Sequence, residues 1–119
     1  MFEIKVIGEF NAAHNLRGYR GRCEELHGHN WKVEAVVSGK NLGKIGMLMD
    51  FKQLKYRLNK VLDGLDHKYL NRLSYFKRVN PTSENIAKFI YDDLRTKISN
   101  LKSVTVWESD NSSASYYGK

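Results

Sequence analysis

The segment Cys23-Glu24-Glu25-Leu26-His27-Gly28-His29-Asn30 holds two of the chain's four histidines and its only cysteine. His27 and His29 are spaced i, i+2, so an extended backbone turns both imidazoles to one face and Gly28 to the other. Such a pair can supply two nitrogen ligands to one zinc; a catalytic zinc takes a third ligand from the protein and keeps its fourth position open. His14 is the candidate third ligand. A His-x-His pair alone is as often a solvated surface feature, so the surrounding pattern must decide.

Two further groups have chemical potential. In Asp66-His67 a carboxylate bonded to one imidazole nitrogen fixes the tautomer and leaves the other nitrogen free to exchange a proton. Adjacent residues diverge in a regular strand, so that contact requires a turn; an Asp-His dipeptide is also a common surface feature. Glu108 ends an apolar stripe, where a carboxylate needs either a cation or an array of donors such as two adjacent N–H groups on a ligand. A salt bridge to a Lys or Arg is the simpler account. Cys23 cannot form an internal disulfide and is either an inert small residue or a reactive thiol.

Strands and helices must position these groups. Phe2, Ile4, Val6, Gly8, Phe10, Ala12 and His14 share the even face of one predicted strand, and His27, His29, Trp31, Val33, Ala35 and Val37 the odd face of a second. Two mainly apolar stripes therefore end in histidines. Gly39 to Gly46 reads as a hairpin connection into a short strand at Met47-Leu48-Met49. Asp50 suits a helix N-cap, followed by Phe51, Leu54, Leu58, Val61, Leu62 and Leu65 at helical spacing. Pro81-Thr82-Ser83-Glu84-Asn85 starts a second helix, capped by Thr82 or Ser83, whose buried face is Ile86, Phe89, Ile90, Leu94, Ile98 and Leu101. A last strand over Ser103 to Ser109 carries Val104, Val106 and Glu108 on one side.

The 119 residues fit one domain, 1–119, with no linker or internal repeat, a single proline and no apolar run long enough for a membrane span. The N-terminus alternates like a strand rather than a secretory signal, and the expected location is cytoplasmic. The net charge of +7 suits an anionic partner, whether nucleic acid, membrane surface or phosphorylated small molecule. The densest basic tract is Arg17-Gly18-Tyr19-Arg20-Gly21-Arg22.

Taken together, Phe10-Asn11-Ala12-Ala13-His14, Cys23-x-x-x-His27-Gly28-His29-Asn30, Gly46-Met47-Leu48-Met49-Asp50-Phe51, Leu65-Asp66-His67-Lys68-Tyr69-Leu70-Asn71, Pro81-Thr82-Ser83-Glu84-Asn85 and Val106-Trp107-Glu108-Ser109 resemble the 6-pyruvoyltetrahydropterin synthase family, in order and over almost the whole chain. The three-residue gap between Cys23 and His27 resembles its 6-carboxytetrahydropterin synthase branch, which serves queuosine biosynthesis.

The resemblance implies an α+β tunnelling fold (T-fold), a four-stranded antiparallel sheet with two helices on one face, assembled into trimers or dimers of trimers with sites between subunits. It implies Zn2+ held by His14, His27 and His29, with Cys23, Asp66 and His67 as catalytic groups. Glu108 would anchor the pterin, supported by Thr82, Ser83 and Glu84, and basic residues including Arg17, Arg20 or Arg22 would meet the triphosphate. The implied substrate is 7,8-dihydroneopterin triphosphate, cleaved to 6-carboxy-5,6,7,8-tetrahydropterin, acetaldehyde and triphosphate. Nucleic acid and membrane are not expected partners. Glu24, beside Cys23, leaves open a folate-pathway activity that cleaves dihydroneopterin to a hydroxymethyl product, as well as 6-pyruvoyl formation on the same fold. A basic zinc-stabilised RNA-binding module, with Cys23 closing the metal site, is the alternative from another class; it leaves Asp66, His67 and Glu108 without a role.

Overall fold

A computed structural model of the chain describes residues 1–18 and 25–119. Strand β1 (Phe2–His14) is followed by β2 (His27–Gly39), helix α1 (Phe51–Asp63), a two-residue strand β3 (Lys68–Tyr69), two 3-10 turns, helix α2 (Ser83–Arg95), β4 (Leu101–Ser109) and β5 (Ser112–Tyr116). The sheet order is β3-β1-β2-β4-β5. β1, β2, β4 and β5 form a four-stranded antiparallel ribbon, and β3 adds a short parallel pairing to Ala12 and Ala13 at the β1 edge. The α+β class and the two-helix, mostly antiparallel T-fold architecture hold.

The stripes behave as their spacing predicts. Val6, Phe10 and Ala12 of β1, Trp31, Val33, Ala35 and Val37 of β2, and Val104 and Val106 of β4 are buried in one core with the inner faces of both helices. Glu3, Lys5, Glu9 and Asn11, on the odd positions of β1, are exposed. Gly8 interrupts the apolar face for a reason: an added Cβ would come within 2.8 Å of Leu62 Cδ1, so its absence lets α1 settle on β1. Both helices carry the expected caps. The Asp50 side chain accepts a hydrogen bond from the Lys52 N–H at 2.8 Å, and the Thr82 hydroxyl accepts from the Asn85 N–H at 3.1 Å.

Some local expectations fail. Met47-Leu48-Met49 is not a strand; Gly43 N–H donates to Met47 C=O in a turned connection, with Gly46 at φ +81°. Its apolar side chains have another use, since Leu48 and Met49 pack on the core and Leu48 lies over Gly39 at the end of β2. The fourth antiparallel strand is instead β5, beyond the Asp110-Asn111 turn. Leu101 begins β4 rather than extending the α2 face, and Phe51 is 55 % exposed at the start of α1. Among the described residues no helix is long and apolar enough to cross a membrane.

Candidate metal centre

Cross-strand register assembles the histidines. His14 pairs directly with His27 across β1 and β2, and Ala12 with His29, so His29 stands diagonally opposite His14 on the same face. The ring centroids lie 4.7 Å (His14–His27), 4.6 Å (His27–His29) and 5.3 Å (His14–His29) apart. Trp31, fully buried, forms the floor: its ring meets His14 and His29 edge-on at 4.9 and 5.1 Å, and its indole N–H donates to the Ala12 carbonyl. Glu108 reaches the group from β4. Its Oε2 is 3.2 Å from His29 Nε2 and 3.7 Å from His14 Nε2.

Backbone carbonyls set the tautomers. His14 Nδ1 bonds the Pro81 carbonyl at 2.7 Å, and His27 Nδ1 bonds the Glu25 carbonyl at 2.7 Å. A carbonyl only accepts, so each Nδ1 carries the hydrogen in these bonds and Nε2 is the nitrogen left to face the group. His14 Nε2 and His29 Nε2 are buried with no hydrogen-bond partner among the described residues. Burial holds both imidazoles below the ordinary histidine pKa; His27 adds to the effect at both, and His29 adds to it at His14. Glu108 opposes the shift at both, and the Pro81 bond opposes it at His14. Neutral imidazoles with unpaired, inward-facing nitrogens are the form a metal requires.

The donor set fits zinc. One ligand atom from each of His14, His27, His29 and Glu108 lies within 4.8 Å of all the others. Tetrahedral zinc with bonds of about 2.0–2.1 Å separates its ligand atoms by about 3.3 Å, close to the two distances from Glu108.

Asp66 and His67 lie at the opposite edge of β1. Asn11 N–H donates to Asp66 Oδ1 at 2.8 Å, and His67 N–H donates to the Asn11 carbonyl. His67 has φ +58°, the only positive value at a non-glycine residue among those described, and this left-handed turn lets its Nδ1 reach Asp66 Oδ2 at 3.0 Å. The Asn11 N–H bond, and then the bonds and charge of His67, hold the Asp66 carboxyl below the usual range. The His67 side chain is 78 % exposed and is not among the clustered metal-ligand candidates.

Thr82 spends its hydroxyl on the α2 cap, while Ser83 and Glu84 occupy the first turn of that helix. The link from this segment to the metal group runs through Pro81, whose carbonyl holds His14. Sequence inspection missed that carbonyl and Glu25's because backbone acceptors carry no side-chain signature; the only hint was that Pro81 is the sole proline. Arg17 serves as a fastener: its Nη2 donates to the Phe76 and Val79 carbonyls, and Asn80 clasps its backbone. Cys23, Glu24, Arg20 and Arg22 lie outside the described residues.

Known proteins share this sequence and fold. The family model for 6-pyruvoyl tetrahydropterin synthase matches residues 3–119. A Synechocystis sp. protein named 6-carboxy-5,6,7,8-tetrahydropterin synthase is 38 % identical, with the match covering 91 % of this chain and 87 % of that protein. A Pyrococcus furiosus dihydroneopterin monophosphate aldolase is also 38 % identical, over 85 % and 84 % of the two chains. Among solved structures, the Caenorhabditis elegans 6-pyruvoyl tetrahydropterin synthase superposes with a TM-score of 0.91 at 28 % identity, covering 99 % of this chain and 96 % of that one. With the match spanning nearly every residue and the histidine group assembled on one sheet face, this chain belongs to the 6-pyruvoyl tetrahydropterin synthase family of pterin-processing enzymes.

Proposed function

We propose that this enzyme converts 7,8-dihydroneopterin triphosphate and one water to 6-carboxy-5,6,7,8-tetrahydropterin, acetaldehyde and triphosphate, as the zinc-dependent step of queuosine biosynthesis in the cytoplasm. The observation that carries the proposal is the group of three histidines converging on one point, with the Nε2 atoms of His14 and His29 buried and unpaired among the described residues, beside the Glu108 carboxylate. The Cys23-x-x-x-His27 spacing and the Synechocystis relative support this branch of the family.

His14, His27 and His29 hold the ion, and zinc bound there supplies Lewis-acid polarisation of the substrate's side-chain oxygens. Glu108 accepts hydrogen bonds from the pterin 2-amino and ring N–H groups, a bidentate match that fixes the direction of the side chain. Thr82, Ser83 and Glu84 back the ring pocket through the α2 terminus. Asp66 holds the Nδ1 side of His67, which leaves His67 Nε2 to give or take a proton at the reacting side-chain carbon; Cys23 removes a proton as thiolate. The exposure of His67 suits a homo-oligomer, trimeric or a dimer of trimers, in which that imidazole completes a site between subunits.

The Pyrococcus relative and Glu24 favour one other reading, cleavage to a hydroxymethyl pterin. Product identity separates the two. Incubation of zinc-loaded protein with 7,8-dihydroneopterin triphosphate should give 6-carboxytetrahydropterin and trapped acetaldehyde by mass spectrometry; a hydroxymethyl or pyruvoyl pterin would move the enzyme to another branch.

A further inference from the structure

We infer that Glu108 is a shared ligand: it closes the metal site while no pterin is bound and leaves the metal when a pterin ring takes its carboxylate. The inference rests on the pterin-binding role proposed above and adds how that binding controls the metal.

Three observations carry it. Glu108 Oε2 sits 3.2 and 3.7 Å from the Nε2 atoms of His29 and His14, spacings near the edge of a zinc tetrahedron. His29 Nε2 nevertheless makes no hydrogen bond, to Glu108 or to any other described residue, although it is buried. A His–Glu ion pair would align an N–H with the carboxylate oxygen. Lone pairs converging on a point between the groups give close approach without that alignment. Glu108 is also about one-third exposed, so one side of the carboxylate faces outward, where a ligand can reach it.

The two uses of Glu108 compete. A bidentate pair with an amino and a ring N–H engages both carboxylate oxygens, and one of these is the oxygen that faces His14 and His29. Three neutral imidazoles and one carboxylate leave a divalent ion with a net charge of +1; withdrawal of Glu108 restores +2 and opens the fourth position. The site therefore becomes strongly electrophilic only once the ring is seated, which places the substrate's side chain next to an open, less neutralised metal. Without pterin, a closed four-ligand site guards against adventitious anions.

Linkage makes this testable without turnover. If pterin removes a ligand from the metal, it weakens metal binding, and the metal weakens pterin binding by the same factor. The probes are cobalt(II) and unsubstituted pterin, which has the ring N–H groups but no side-chain oxygens to replace the lost carboxylate. Chelator competition on the wild-type protein should show cobalt affinity falling by about 10-fold or more under saturating pterin, with a change in the cobalt visible spectrum. Glu108→Gln, which keeps the side chain's shape, should lower cobalt affinity by about 10- to 100-fold with no pterin present. Pterin that binds while wild-type cobalt affinity and spectrum stay unchanged would overturn the shared-ligand role and leave the pterin site standing. Failure of pterin to bind both the metal-free and the cobalt-loaded protein would overturn the pterin reading and this inference with it.

Discussion

His14 Nδ1 bonds the Pro81 carbonyl at 2.7 Å, a contact across 67 residues that ties the end of β1 to the entry of α2. It turns the Nε2 of the most buried histidine toward its two neighbours, so a loop carbonyl decides which nitrogen is available to a metal.

The three imidazoles and Glu108 should separate by function. His27→Ala removes a ligand and should lower zinc affinity by more than about 100-fold, with turnover lost in parallel. Glu108→Ala should still load one zinc at stoichiometric concentration but lose pterin affinity. Metal analysis and pterin titration of the two variants check this; full pterin binding by Glu108→Ala would remove its anchoring role.

His67→Ala should reduce kcat by about 10²- to 10⁴-fold, the usual contribution of a general acid or base, with zinc content unchanged. Asp66→Asn should cost less, because the Asn11 N–H still has an oxygen to bond and His67 is still present. Equal losses in the two variants would mean that Asp66 itself acts on substrate.

Thr82→Ala removes the α2 cap and should destabilise the protein by about 1 kcal/mol, read as a lower urea midpoint at unchanged slope. Because Thr82 follows Pro81, zinc affinity should fall slightly as the carbonyl that orients His14 is held less firmly. A loss of pterin affinity without any loss of stability would mean that Thr82 acts on the ring directly rather than through the α2 terminus.

Acid should destabilise the metal-free protein through His14 and His29. Both have folded pKa values below their 6.5 reference, chiefly because of burial, so between the folded value and 6.5 the unfolded chain binds more protons. Their contribution to stability is complete above about pH 6.5 and is lost as pH falls through the lowered folded values. Urea unfolding of the metal-free protein from pH 8 to pH 5 should show this decline, and His14→Gln should flatten it.

The histidine site was legible because a period of two survives folding: His14 ends one apolar stripe and His27 and His29 begin another, so the antiparallel register that pairs the two stripes end to end brings them together. Glu108 was legible in its direction but not in its distance from His29, which depends on the pairing of β2 with β4. The Met47-Leu48-Met49 run misled because apolar residues that cap the end of a sheet look like residues within one. β5 was missed because Ser112, Ser113 and Ser115 carry little strand signal, although Ala114 and Tyr116 keep the alternation. Asp66 and His67 were identifiable as a pair, but their position at the edge of β1 depends on backbone bonds to Asn11 that leave no mark in the sequence.

The most direct measurement of the central claim is zinc titration of the metal-stripped enzyme, with acetaldehyde release from 7,8-dihydroneopterin triphosphate followed at each step. The histidine site predicts no release without metal and a linear rise that saturates at one zinc per chain. Undiminished release from the stripped protein, or no release at full loading, would contradict it.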